Sequence, residues 1–166
     1  VGKAGHVSAT PATALLRVRG VEFSEHPYEY VEHGGTRESA RQLGLEEHAV
    51  IKTLVMQDDS SRPLVVLMHG DRVVSTRRLA RQLGCKAVTA CSPEVAQRHS
   101  GYQVGGTSPF GLRKPLPVYV ERTVLELPRI WINGGRRGYL LGMAPHVLID
   151  QLGAIAVECA LEKQGG

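Results

Sequence analysis

The sequence predicts one mixed α/β domain of the α+β type, and three observations carry that prediction. Strand-length runs of Val, Ile, Leu and Tyr interleave with short segments that carry the start and stop signals of helices. Two turn sequences, DDSSR at 58–62 and NGG at 133–135, each separate neighbouring strand-like runs and read as hairpins, so the sheet cannot be all parallel. Finally, 166 residues with 42% hydrophobic composition suffice for a single core, and no linker or low-complexity stretch divides the chain. The domain is expected over residues 10–162, after a flexible segment 1–9.

Each element has a local reason. Thr10-Pro11 places a cap and a first-turn proline before ATALLRV, and Gly20 closes that helix. Val21–Tyr30 reads as a strand, and Thr36 as the cap of RESARQL. Val50–Met56 and Leu64–His69 form the first hairpin. Ser75 or Thr76 caps RRLARQL, Ala87–Ala90 is a short strand, and Ser92-Pro93 opens EVAQRH. Pro117–Glu121, Arg129–Asn133 and Tyr139–Met143 follow as strands, the last two joined by the Asn-Gly-Gly turn. Pro145 opens HVLIDQL, and Ala154–Cys159 is the final strand. RQLGL at 41–45, RQLGC at 81–85 and DQLGA at 150–154 repeat one device, a helix end with a left-handed glycine just beyond it. Their spacings of 40 and 69 residues are not periodic, which excludes a solenoid.

Composition narrows the function classes. A net charge of +4 permits a polyanionic partner, while an aromatic content of 5% argues against a base-stacking platform. The three cysteines contain no CxxC pair, so they read as small hydrophobes and not as a disulfide framework or zinc knuckle. The seven histidines show neither HxxxH nor HxH spacing, and no Ser/His/Asp triad can be assembled, so neither a metal nor any other cofactor is expected. Charges interrupt every apolar run well short of the ~18 residues of a membrane span. VGKAGHVSATPA at the start lacks the apolar stretch of a signal peptide and the arginine-rich face of a transit peptide, and a cytoplasmic protein is expected.

Three stretches carry chemistry. GYQVGGTSPFG at 101–111 has the glycine spacing of a phosphate-binding loop at Gly106 and Gly111, but Leu112 and Arg113 stand where Lys and Ser/Thr are needed. It also begins a nucleophile elbow at Gly106-Thr107-Ser108 and then places Phe110 where glycine is required. The residues leave two readings: a surface loop of convenience, or a fixed array of backbone N–H and C=O groups of the kind that binds anions and oxyanions. In VIKTLVM, Lys52 shares a strand face with Val50, Leu54 and Met56. It is either an edge-strand lysine that discourages strand addition or a cation on the floor of a pocket. INGGRRG at 132–138 sets Arg136 and Arg137 after a glycine turn, as a solvated turn or as phosphodiester contacts.

VIKTLVM, VAQRHSGYQVGGTSPFG and INGGRRGYLLG, in that order, resemble the YbaK family of free-standing aminoacyl-tRNA deacylases, related to the editing domain inserted in bacterial prolyl-tRNA synthetase. The likeness runs from about Thr10 to Leu161. It implies a barrel-like mixed sheet with surrounding short helices, and hydrolysis of the ester between a wrong amino acid and the 3′ acceptor end of a tRNA. The tRNA implied is tRNA(Pro) carrying Cys, Ala, Ser or Thr. By the same resemblance Lys52, followed by Thr53, holds the terminal nucleotide or the aminoacyl group. Gly105, Gly106 and Pro109, with Thr107 and Ser108 between them, orient the scissile carbonyl or the attacking group. That group is a water, or the thiol of a cysteine substrate. Tyr28, Asn133, Gly134, Gly135 and Leu140 fall at substrate-binding positions, and Arg136 and Arg137 at tRNA-binding ones. No metal and no membrane are implied, and prolyl-tRNA synthetase is the implied protein partner. Cysteine-specific members carry Ser and Asp where this chain has Asn133 and Leu140, and a second aromatic is replaced near Gly35, so the amino-acid pocket differs from theirs.

The leading expectation is therefore a trans-acting aminoacyl-tRNA deacylase. The alternatives are a non-catalytic module that binds tRNA or a synthetase, which the same basic balance would suit, and a small-nucleotide binder using the glycine loop.

Overall fold

Five short helices and ten strands form within residues 9–164, the span that this computed structural model describes. In chain order they are α1 (Pro11–Val18), β1 (Ser24–Pro27), α2 (Gly35–Leu43), β2 (Val50–Asp58), β3 (Pro63–His69), β4 (Arg72–Val74), α3 (Thr76–Leu83), β5 (Val88–Ala90), α4 (Pro93–Ser100), β6 (Val118–Glu121), β7 (Ile130–Asn133), β8 (Tyr139–Met143), α5 (His146–Leu152), β9 (Ile155–Val157) and β10 (Ala160–Glu162). The expected flexible segment 1–9 lies outside the described residues except for Ala9.

The turn chemistry sets the sheet. Asp58 Oδ1 accepts the backbone N–H groups of Ser60 and Arg62 at 2.8 and 2.9 Å, which closes the β2–β3 hairpin, and β7 and β8 pair antiparallel across the glycine turn. The main sheet runs β1-β8-β7-β2-β3-β6-β9, with parallel pairing of β2 with β7, β3 with β6 and β6 with β9. The mixed sheet is the one expected. Its path has two ends, at β1 and β9, so hydrogen bonds do not close it into a barrel.

β3 lies between β2 and β6, and its alternate side chains feed two cores. Val65 and Leu67 join Leu16, Phe110, Ile130, Leu141 and Leu148, while Leu64, Val66 and Met68 join Met56, Leu79 and Val88. Its unbroken apolar run is what burial on both faces requires, each such side chain contributing about 1.5–3 kcal/mol. Cys159 is buried, Cys85 and Cys91 are half-buried, and all three are free.

Several local expectations shift. Gly44, Gly84 and Gly153 do end their helices in the left-handed region, and Ser75 and Ser92 cap α3 and α4 as expected. Thr36 is not a cap: α2 starts behind Gly34, and the Thr36 hydroxyl donates to Glu47 Oε2 at 2.7 Å. The long run Val21–Tyr30 forms a strand only at Ser24–Pro27. Of the last run, Ala154–Cys159, only Ile155–Val157 forms a strand, β9; β10 follows beyond it and pairs with β4, and the sequence signals neither β10 nor β4. Nor is β2 an edge strand, since β3 pairs along one side and β7 and β5 share the other.

That shared side positions the site. β7 pairs with β2 only at Val50 and Ile51, and β5 only at Met56 to Asp58, with Cys91 N–H adding a bond to Val55 O. Between them, at Lys52–Leu54, the sheet is open on this side.

Candidate active site

A cleft of about 540 Å³ enters at this break. β2 supplies its floor through Lys52, Thr53 and Leu54, the segment before α2 supplies Tyr30 and Val31, and α2 begins at the cleft with Gly35. The glycine loop contributes Val104, Gly105 and Thr107, and the β7–β8 hairpin contributes Asn133, Arg137 and Leu140.

The loop is held by the hairpin, carbonyl by carbonyl. Arg137 Nε donates to Val104 O at 3.0 Å, Asn133 Nδ2 donates to Gly105 O at 2.9 Å, and Gly106 N–H donates to Gln103 O at 2.8 Å. Asn133 Oδ1 accepts Gly135 N–H at 2.9 Å, and Gly134 O accepts the hydroxyl of Thr10, the α1 cap, at 2.6 Å. Gly106 allows the two segments to touch: a Cβ there would stand 2.8 Å from Arg136 C and Arg137 N. Gly105 has φ +92°, a region closed to most side chains, and faces the Tyr30 hydroxyl and Arg137 Nε. Deeper in the loop, Tyr102 donates its hydroxyl to Phe110 O at 2.6 Å and Ser108 Oγ accepts Phe110 N–H at 3.1 Å. The carbonyls of Gln103, Val104, Gly105 and Phe110 are thus occupied, while the N–H groups of Gly105 and Thr107, two residues that line the cleft, take no part in these bonds. Unpaired amides on a held loop are the kind of donor from which an oxyanion-type surface is made.

Lys52 sits at the other side of the cleft, its ammonium donating to Arg72 O. Burial pushes its pKa down and Lys163 adds to that, against Glu47 and Asp71. Thr53 Oγ1 is buried and has no hydrogen-bond partner, so a polar group stands ready for a ligand in the floor. Val50, Leu140 and Tyr28 form an apolar wall with Trp131 behind it. Burial raises the Tyr28 pKa, which keeps its phenol a hydrogen-bond donor. The Arg137 guanidinium lies over the Tyr30 ring at 4.7 Å.

Of the residues singled out from the sequence, Tyr28, Lys52, Thr53, Gly105, Thr107, Asn133, Arg137 and Leu140 line the cleft. The others do not. Gly106, Ser108, Pro109 and Gly134 are buried behind the wall, Gly135 packs against Tyr102 and Thr10, and Arg136 is exposed outside. Ser108 spends its oxygen on the loop's own backbone, so it supports the wall from within and does not face a ligand. Tyr30 is a polar cleft residue that sequence reading missed. The period-two spacing from Tyr28 could have found it.

Two histidines meet away from the cleft. His48 and His69 stack at 3.7 Å with ring planes 7° apart, and His48 Nδ1 lies 2.8 Å from Asp71 Oδ1. The three could-be ligand atoms lie within 4.8 Å of one another. Parallel rings direct their in-plane lone pairs side by side, however, and both His69 nitrogens are occupied, by His48 O and Thr123 Oγ1, each at 2.7 Å. The arrangement is that of a hydrogen-bonded stack of a buried His69 on a half-exposed His48, and not a converging metal site.

Fold and cleft together define an α/β domain whose candidate site combines a glycine-rich loop with one half-buried lysine. The chain belongs to the aminoacyl-tRNA editing domain family, whose model matches residues 33–150. That span holds Lys52, the glycine loop and the GGRRG turn, though not Tyr28 or Tyr30. The chain is 28% identical over 142 residues to a candidate Cys-tRNA(Pro)/Cys-tRNA(Cys) deacylase, EbsC, of Enterococcus faecalis, covering 85% of this chain and 87% of that one. It is 33% identical over 96 residues to a proline–tRNA ligase of Moorella thermoacetica, covering 55% of this chain and only 16% of the ligase. Among solved structures, a candidate trans-editing enzyme for prolyl tRNA synthetase matches with a TM-score of 0.78, at 25% identity over 93% of this chain and 96% of that one. No helix among the described residues is long and apolar enough to cross a membrane.

Proposed function

We propose that the protein is a hydrolase that deacylates mischarged aminoacyl-tRNA in trans, acting on tRNA(Pro) that carries a small wrong amino acid. Cys is the family's default, and Ser, Thr and Ala are the alternatives that the altered positions Asn133 and Leu140 leave open. The observation that carries this reading is the clamped loop. Its Gly105 and Val104 carbonyls are tied to Asn133 and Arg137, and Gly105 and Thr107, whose amides are unpaired, line a cleft that has Lys52 on its floor.

In this reading the 3′ end of the tRNA enters the cleft with its aminoacyl ester against the loop. The two N–H groups polarise the ester carbonyl and stabilise the oxyanion that forms when the attacking oxygen or sulfur adds. Lys52 offsets the charge of the terminal nucleotide, Thr53 Oγ1 gains the partner it lacks, and the Tyr28–Leu140 wall receives the side chain of the amino acid. Collapse of the adduct breaks the ester C–O bond and returns the proton to the ribose oxygen. With water as the attacking group, the products are free amino acid and tRNA.

Neither the Cys91 thiol nor the Glu38 carboxylate, both on the cleft lining, is poised as a nucleophile or base. Burial raises the Cys91 thiol pKa, disfavouring the thiolate, and hydrogen bonds from Arg41 and then Gln42 hold Glu38 at about 2. The attacking group is then a water or the substrate's own side chain, helped by the neighbouring ribose hydroxyl. A relative of similar length named as a deacylase, and the partial match to proline–tRNA ligases, support tRNA(Pro) as substrate and prolyl-tRNA synthetase as the enzyme whose errors are cleared.

The test is a panel of Cys-, Ala-, Ser-, Thr- and Pro-tRNA(Pro). Release of one or more small amino acids with Pro-tRNA(Pro) spared is expected, and no release above background from any of them overturns the enzymatic reading.

A further inference from the structure

A second groove, of about 430 Å³, opens directly from the cleft, and Pro93, Val104 and Arg137 belong to both. One face of α4 forms its floor through Pro93, Glu94, Gln97 and Arg98, and Arg113 crosses from the far side, its Cβ 3.1 Å from where a side chain on Gly101 would stand. Arg98, Arg113 and Arg137 are all exposed, and among the described residues none of them pairs with a carboxylate, although most other exposed ion pairs involve arginine. Glu94 is the single acid on the walls. The local field is positive: after burial, the charges of Lys114 and Arg98 push the His99 pKa down.

Three guanidinium groups without a carboxylate partner, on the walls of a groove that begins at the mouth of a site taking the end of a nucleic acid, match a chain of phosphates. The groove carries no aromatic side chain to stack a base, so it reads backbone and not sequence.

We propose that this groove holds the single-stranded nucleotides that precede the terminal residue, with Arg98 and Arg113 against their phosphates and Arg137 at the junction with the cleft. The inference rests on the reading that a tRNA 3′ end occupies the cleft. It assigns the tRNA contacts beyond that end to α4 and Arg113, in place of Arg136, which lines neither cavity.

The experiment measures binding of an uncharged acceptor-stem hairpin with its single-stranded 3′ end, as a function of salt, for the wild type, an R98A/R113A variant, and an R77A/R81A control that removes two exposed arginines of α3. Loss of two phosphate contacts is expected to lower the log Kd–log salt slope by about 1.4, at roughly 0.7 per single-strand phosphate, and to weaken binding at low salt at least tenfold, with the control unchanged. A blunt hairpin without the single-stranded end should bind the wild type and R98A/R113A alike. An unchanged slope in R98A/R113A, or an equal loss in R77A/R81A, overturns the proposal. The assay needs no turnover. A wild type that releases no amino acid but shows the slope loss would sustain the groove while overturning the enzymatic reading.

Discussion

The side-chain amide of Asn133 donates to the carbonyl oxygen of Gly105 at 2.9 Å, while its own oxygen accepts Gly135 N–H at 2.9 Å. Only one orientation of the amide satisfies both partners, so this residue fixes the loop and the hairpin turn together. Asn133 was expected in the amino-acid pocket, and it does line the cleft, but its polar atoms are committed to the wall.

Truncation at Asn133 should therefore act on rate. Asn133→Ala removes the clamp from Gly105 and should lower kcat by about tenfold or more, with a stability cost of about 1 kcal/mol. Asn133→Asp keeps an acceptor for Gly135 N–H but turns an anionic oxygen toward Gly105 O, so it should be slower than the alanine variant. Single-turnover deacylation and thermal midpoints check both. Wild-type kcat in Asn133→Ala would remove the clamp from the mechanism.

Close approach at Gly106 gives a second, sharper test. A Cβ there meets backbone atoms of Arg136 and Arg137 at 2.8 Å, and backbone cannot rotate aside as a side chain could. Gly106→Ala should cost about 1–3 kcal/mol and remove most activity by parting the loop from the hairpin. Gly84→Ala is the control. With φ +73° and open space around it, Gly84 should lose about 1 kcal/mol through strain alone and leave activity intact. Chemical denaturation and turnover of the two variants separate contact from conformation.

How far the sequence reached follows from the range of each interaction. Hairpins at 58–62 and 133–135 and the helix exits at Gly44, Gly84 and Gly153 depend on a few adjacent residues, and each was legible. Thr36 was misread because its hydroxyl answers to Glu47 and Gly70, partners that a capping rule cannot see. The β4–β10 pair was missed because RVV and ALE are too short to show alternation. At the site, the set of Lys52, the loop and the GGRRG turn could be read from order along the chain. Which of its members face a ligand could not, since a buried Ser108 or Pro109 and a lining Thr107 look alike in one dimension.

Lys52 should separate activity from stability. Burial disfavours its ammonium, so Lys52→Met should leave the thermal midpoint unchanged or raise it while lowering deacylation by about 10²-fold or more. Lys52→Arg, which keeps the charge on a longer and planar group, should retain more activity than Lys52→Met. A Lys52→Ala protein with full activity would sink the role given to this lysine.

The stacked histidines make stability depend on pH in a direction that can be worked out. His69 is fully buried, and burial, the largest effect, holds its pKa below the ordinary 6.5, with the neighbouring His48 charge acting the same way. The bond to His48 O and the charges of Asp71 and Glu121 oppose this and do not prevail. A folded-state pKa below the unfolded one means that the unfolded chain binds more protons in the interval between them. Stability is then complete above about 6.5 and declines as pH falls through the folded value, by about 1.4 kcal/mol for each unit of depression. Urea unfolding from pH 7.5 to 5 should show this decline in the wild type and a shallower one in His69→Gln, whatever the variant's absolute stability. Parallel curves for the two proteins would mean that the proton uptake lies elsewhere, for example at His26 or His99, whose pKa values burial also lowers.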